Sequence, residues 1–441
     1  MLMKTAEAAS RTPMPPLDFT EHRLANGIRL LLLEDHHRPM AHLELWYHVG
    51  SKDEKPGTTG FAHLFEHLMF RGSRHVGPEQ HMLYVRQAGG VVNAYTTFDQ
   101  TVYWETFPSH YLERMLWLEA DRLAALDVSE SNFLREREVV KEERRMHYEN
   151  QPYGLLAEDI LDSTFTVYPY KHMPIGSMED LDRASIDMVR DFHGRYYVPG
   201  NLTLILAGDF DTHEGIRLVD RHFGSLPPRA DPIPRVSAIE PPQENLRELR
   251  KTYPMAPLPA VAGSFHLPPM GHPDSYALEI ASVILSSGQS SRLYRRLVYE
   301  TQSALSASGQ AYLLEGPSIF FSFAICNYGR DAADLNRLMQ EVFLEMKENP
   351  VSEEELLKAK NNVVRDFIIG RQTLEQRAGF LGKMAVLRND PSLCQAELAR
   401  YQEVTPADVQ RVCRHYLIET NETRLWVEPG PPPPGEEGIP Q

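Results

Sequence analysis

Cysteine is nearly absent. The 441 residues hold only Cys326, Cys394 and Cys413, too few and too scattered for a disulfide framework or a cysteine-based zinc site. Any metal must therefore be held by histidine and carboxylate. Long apolar runs are missing too: none approaches the roughly 20 residues that cross a bilayer as a helix, so no membrane span is expected. The opening stretch MLMKTAEAASRTPMPP has a lysine but no continuous apolar segment and does not read as a secretion signal. The compartment stays open: the cytoplasm for the sequence as it stands, or the periplasm if a leader has been removed. Basic charge is also short, with 45 Lys and Arg against 61 Asp and Glu, a formal net charge of −16. Nucleic-acid binding needs a basic surface that displaces counterions, so nucleic acid is not an expected partner. The acidity favours basic ligands, and it serves solubility as well.

The length exceeds what one hydrophobic core usually supports, so domains of about 200 residues are expected. A proline-dense stretch, with Pro227, Pro228, Pro232, Pro234, Pro241 and Pro242, can form neither ladders nor helices. It marks a linker over residues 228–244, between an N-terminal domain 1–227 and a C-terminal domain 245–428. The Pro-rich tail 429–441 has nothing with which to bury a core.

The two halves repeat one another. SIDMVRDFHGRYYVPGNLTLILAG from Ser185 aligns without gaps with TPADVQRVCRHYLIETNETRLWVEPG from Thr405, matching Val189 to Val409, Tyr196 to Tyr416 and Asn201 to Asn421 at a constant offset of 220. Each copy reads as a capped helix, a turn and an alternating strand. A second pairing sets FAHLFEHLMFRGS beside YALEIASVILSSG, where His63, Glu66 and His67 meet Leu278, Ala281 and Ser282. The fold can evidently build this helix from apolar and small residues, so the polar triplet of the first copy needs another reason. Consecutive strands with short connections, GIRLLLLED then HLELWYHVG and GGVVNAYTTF then TVYWETFP, read as hairpin-like pairs. The expected fold class is α+β: two tandem homologous domains, each a largely antiparallel sheet packed with helices.

In FAHLFEHLMF, residues 61–70, positions i and i+4 share a helix face, so His63 and His67 can offer ring nitrogens to one ion. Glu66 lies on a neighbouring edge of that face. Two imidazoles and a proton-accepting carboxylate are what a metallohydrolase requires, in the order H-x-x-E-H. A third ligand is needed. Glu136 and Glu143, two turns apart in the helical run from Ser129, share a face, although for that segment taken alone a charged, solvated helix is the better account.

HLFEH followed 76 residues later by the last Glu of EREVVKEE resembles the pitrilysin and insulinase superfamily of inverted zinc peptidases, especially its mitochondrial processing peptidase branch. The likeness extends through GTTGFAHLFEHLMFRGS, GGVVNAYTTFDQTVYWE, YPYKHMPIG and SSGQSSRLYRRL, covering most of the chain in order. The resemblance implies one Zn²⁺ held by His63, His67 and Glu143, with Glu66 as the general base of peptide hydrolysis. It implies that Glu136 supports the site from behind a ligand. Residues Asn93, Ala94, Tyr95 and Thr96 resemble the family's edge strand, to which a peptide substrate pairs as an added strand.

The sequence departs from the family in its second half. Complete members supply an Arg and a Tyr seven residues apart for substrate binding and oxyanion stabilisation. Anchored on Ser291-Arg292-Leu293, those places fall at Val298 and Leu305, which have no side-chain donor. Arg292 and Tyr299 have the spacing but sit six residues too early. Some members divide the labour between related chains, so the resemblance implies a metalloendopeptidase whose homologous partner, lacking H-x-x-E-H, carries the Arg/Tyr pair. That is a heterodimer in the first instance, with a homodimer possible. The alternatives are a non-catalytic core subunit of the same superfamily, or a zinc hydrolase of small molecules.

Overall fold

The structure, a computed structural model, describes residues 16–236 and 239–430. The opening stretch 1–15, residues 237 and 238 of the linker, and the tail beyond Gly430 lie outside the described residues. Two mixed sheets organise the chain. The first contains β1 (Thr20–Arg23), β2 (Arg29–Glu34), β3 (Met40–Tyr47), β4 (Val91–Thr96), β5 (Thr101–Pro108) and β6 (Leu202–Gly208). The second contains β7 (Arg247–Tyr253), β8 (Ala260–Leu267), β9 (Ala304–Tyr312), β10 (Ser318–Cys326) and β11 (Glu422–Pro429). Their strand orders are β1-β2-β6-β3-β5-β4 and β7-β11-β8-β10-β9. Without β1 the first order reproduces the second. One parallel pair occurs in each, β2 with β6 and β7 with β11, and the other pairs are antiparallel.

The repeat is preserved down to single side chains. Ser185 and Thr405 each cap a helix, accepting from the amides of Met188 and Asp408. Asn201 donates to the carbonyls of Tyr196 at 2.9 Å and His48 at 3.3 Å, and Asn421 donates to those of Tyr416 at 2.8 Å and His266 at 3.0 Å. In both halves this amide ties the end of a helix to the neighbouring strand.

One expected hairpin does not form. β2 and β3 are not hydrogen-bonded to each other, because β6 returns between them and pairs with both. β6 is buried at every position, as befits a central strand covered on both faces, and a continuous apolar run carries no signal of where in a sheet it will sit. The expected hairpin of β4 and β5 does form.

The helices that share the core of the first sheet include α1 (Phe61–Leu68), α2 (Gln80–Gln87), α3 (Leu112–Ala125) and α4 (Glu130–Arg144), and α5 (Leu156–Thr164) follows them in the chain. α5 lays Leu156 and Ile160 against Ala260, Ala262, Leu425 and Val427 of the second sheet. Reciprocally, the helix Leu374–Leu387 lays Ala378, Leu381, Met384 and Ala385 against Leu31, Leu33, Trp46 and Ile205 of the first. Each half therefore completes the core of the other. Gly382 permits the closest approach, since a β-carbon there would stand 2.3 Å from the Trp46 indole.

Candidate metal centre

α1 begins at Gly60, whose φ of 92° is left-handed, and a β-carbon there would meet the Ile175 carbonyl at 2.7 Å. Gly is therefore the residue that fits. The buried Glu54 carboxylate accepts from the amides of Gly60 at 2.9 Å and Ala62 at 2.8 Å, filling the role of an N-terminal cap and opposing the helix dipole with negative charge. Phe61, Ala62, Leu64, Phe65 and Leu68 face the core, which leaves His63, Glu66 and His67 half-buried on the opposite side.

α4 packs beside α1 and delivers the third donor. Glu143 places one carboxylate oxygen 3.6 Å from His63 Nε2 and the other 3.2 Å from His67 Nε2. Ligand atoms of His63, His67 and Glu143 all lie within 4.8 Å of one another. Two turns earlier, Glu136 stands 3.4 Å behind His67 at Nδ1 and 2.5 Å from Arg71 Nε. His67 is thus flanked by carboxylates at both ring nitrogens, the arrangement that fixes the tautomer and orientation of a ligating imidazole. His63 Nδ1 is buried without a partner. After Arg144 the helix widens into a π-type turn over Arg145–Glu149, a distortion common at functional sites.

The titration behaviour follows from this geometry. Burial, then the charge of His67, pushes the His63 imidazole down to about 4, leaving it neutral with a lone pair to offer. Burial also pulls His67 down, but Glu136 and Glu143 outweigh it and lift that ring to about 9. Its proton is one that a divalent cation would replace. The hydrogen bond to His67 keeps Glu143 below the ordinary carboxylate value. Glu136 is low as well: burial acts upward on it, and His67 and Arg71 prevail. Glu66 moves the other way, raised by burial against the opposing influence of Thr96 and His67, the direction that makes a carboxylate a better base. Two imidazoles and one anionic carboxylate on two helices fit a zinc ion better than the all-oxygen sets of Mg²⁺ or Ca²⁺.

β4, with Asn93, Ala94, Tyr95 and Thr96, is the edge strand of the first sheet and has no further strand beside it among the described residues. Tyr95 is exposed and Thr96 stands next to Glu66. In the second half, Val298 packs against the core and Leu305 is exposed on β9. Arg292 is committed to Glu355, bonded at 3.0 and 2.9 Å, while Tyr299 is 77% exposed. Sequence reasoning missed Glu54 and Arg71. Arg71 had a usable signal, since it follows His67 by one helical turn, whereas Glu54 lies in a loop and had none.

Two family models match the chain: Insulinase (Peptidase family M16) over residues 29–174 and Peptidase M16 inactive domain over residues 183–363. The chain belongs to the insulinase, or M16, peptidase family. The first match contains all three candidate ligands, and the second falls on the half that has Leu278, Ala281 and Ser282 in place of the polar triplet. Among M16 relatives, zinc protease PqqE of Helicobacter pylori is 29% identical over 410 residues, covering 92% of each chain. An uncharacterized zinc protease of Mycobacterium tuberculosis is 28% identical over 406 residues, covering 86% of each. A crystal structure of a protease from Helicobacter pylori superimposes with a TM-score of 0.90 at 29% identity, covering 94% of this chain and all of that one. A peptidase M16 inactive domain from Pseudomonas fluorescens, at 18% identity, shares the fold with a TM-score of 0.81 over 94% of this chain and 98% of its own. No helix of the described residues is long and apolar enough to cross a membrane.

Proposed function

We propose that this chain is a zinc-dependent endopeptidase acting on peptides or unfolded segments, and that it works as the metal-bearing member of a pair of homologous chains. The observation that carries the proposal is the convergence of His63, His67 and Glu143 on one point, with Glu66 on the adjoining edge of α1. Zinc at this position supplies Lewis acidity toward a peptide carbonyl and a more acidic water. Glu66 takes the proton of the attacking water on its carboxylate and returns it to the leaving amine. Glu136 holds His67 in the tautomer that presents Nε2. The free edge of β4 aligns the substrate main chain, with the residues around Asn93 and Tyr95 forming pockets for alternate side chains.

Val298 and Leu305 cannot donate a hydrogen bond, and Arg292 is held by Glu355. The donors that would stabilise a developing oxyanion must therefore come from elsewhere, and losing one such donor typically costs about 100- to 1,000-fold in rate. A homologous chain lacking H-x-x-E-H and bearing the Arg/Tyr pair would supply them. The test is a quenched-peptide assay of the purified zinc-loaded chain, alone and mixed with such a homologue, beside its Glu66→Gln variant. The expected result is weak turnover alone, strong turnover when mixed, and loss of turnover with retained zinc in Glu66→Gln. Full turnover by a verified monomer or homodimer would remove the heterodimer reading. Full turnover by Glu66→Gln would remove the base role.

A further inference from the structure

A second group of histidine and carboxylates lies in the same half of the chain as the first, between α2, α3 and β5. His81 of α2, Glu105 of β5 and Glu119 of α3 are 4%, 0% and 1% exposed. His81 Nε2 stands 3.6 Å from a Glu105 oxygen and 3.5 Å from a Glu119 oxygen, and ligand atoms of all three lie within 4.8 Å of one another. His81 Nε2 and both oxygens of Glu105 have no hydrogen-bond partner. An unpaired polar group at such depth costs about 1–3 kcal/mol, more when it is charged, and the buried Arg122 beside the cluster also leaves Nε and Nη1 without a partner.

We propose that His81, Glu105 and Glu119 form a second, buried site for a divalent cation, with zinc the favoured ion and a structural role. The separations are compatible with a shared ion. A protonated His81 bonded directly to these carboxylates would close to about 2.7–2.9 Å, the length of a charge-assisted hydrogen bond. Donors sharing one tetrahedral ion at bonds of about 2.0–2.2 Å stand about 3.3–3.6 Å apart. The observed 3.5 and 3.6 Å fall in the second range, as does the 3.6 Å between Glu143 and His63 of the first centre, where the separation from His67 is slightly shorter at 3.2 Å. The charges are compatible. Arg122 pairs with Glu119 at 2.6 Å and stacks over the Tyr103 ring at 4.7 Å, so the guanidinium balances one carboxylate, while Glu105 and the His81 imidazole remain for an ion that would take the place of the imidazole's proton. Burial of all three side chains favours a structural ion over a catalytic one. Such an ion would join α2, α3 and β5, and Tyr103 of β5 donates to the Phe65 carbonyl of α1 at 3.1 Å. The second site would thereby stiffen the floor on which the first is built.

The test is metal stoichiometry. The full chain is loaded with zinc, excess is removed by gel filtration, and the bound metal is measured by mass spectrometry for wild type and for His63→Ala/His67→Ala. About two equivalents in wild type and one in the double variant is the expected result. One equivalent in both proteins also supports the second site, and shows that the first does not retain zinc. One equivalent in wild type with none in the double variant, or none in either, overturns the proposal. Glu105→Gln, which preserves side-chain shape, should lose one equivalent from wild type. Chelation should lower the melting temperature of the double variant, a shift that the first centre cannot produce.

Discussion

Replacing Glu136 by Gln isolates the contribution of a group that does not itself bind the metal. The side chain is 2% exposed, wedged between His67 Nδ1 at 3.4 Å and Arg71 Nε at 2.5 Å. The amide preserves volume and can still accept from the imidazole, but it removes the charge that favours the His67 tautomer presenting Nε2 to the ion. Arg71 keeps its second partner, Glu79, at 2.5 Å, so the substitution does not strand a buried cation. Carboxylates behind a ligating histidine contribute about 10- to 100-fold to metal affinity, which is about 1.4–2.7 kcal/mol. The dissociation constant for zinc, measured by competition against a chelating indicator, should rise by that factor while circular dichroism stays unchanged. Glu136→Ala should lose more, because it also leaves a cavity and one side of Arg71 unpaired. A Glu136→Gln protein that is fully folded and binds zinc within about two-fold of wild type would refute the claim that this carboxylate acts through His67.

Three further outcomes follow from the contacts between and within the halves. Glu315 meets Lys52 and His48, the latter at 2.7 Å, and although burial acts upward these partners hold it down at about 2 against an ordinary 4.5. Its folded value is depressed, so its stabilisation is complete above about pH 4.5 and is lost as the pH falls toward 2. Since the side chain keeps 31% of its exposure, the loss is discounted to about 1–2 kcal/mol, and Glu315→Gln should flatten the acid limb of a melting-temperature profile. Gly382→Ala drives a methyl into the Trp46 indole, which is anchored to Glu44 at 2.6 Å; it should cost about 1–3 kcal/mol in chemical denaturation and shift tryptophan fluorescence. Asn421→Ala frees the carbonyls of Tyr416 and His266 and should cost about 1–3 kcal/mol, with Asn201→Ala producing a comparable loss in the first half.

What the sequence discloses depends on whether the information is local. The H-x-x-E-H face of α1 is a matter of helical spacing, and it is legible without any tertiary knowledge. The repeat is legible because its caps, Ser185 and Thr405, and its tethering amides, Asn201 and Asn421, perform the same local task at the same offset. Glu143 was half-legible: the two-turn spacing from Glu136 marked a face, but a charged helix gives no sign of what that face meets, and the family resemblance was needed to choose. The insertion of β6 between β2 and β3 was hidden, because a strand buried on both faces shows no alternation from which its neighbours could be inferred. Hidden too was the exchange in which α5 and the helix Leu374–Leu387 each cover the other half's sheet; an apolar stripe specifies that something is covered, not what. His81, Glu105 and Glu119 come from three elements with no fixed spacing and meet only after folding.

The most direct measurement is anomalous diffraction at the zinc edge from crystals of the zinc-loaded chain. The account predicts a peak within bonding distance of His63 Nε2, His67 Nε2 and a Glu143 oxygen, with the Glu66 carboxylate on the open side. A peak elsewhere with Glu143 turned to solvent, or no peak between the two histidines, would contradict it.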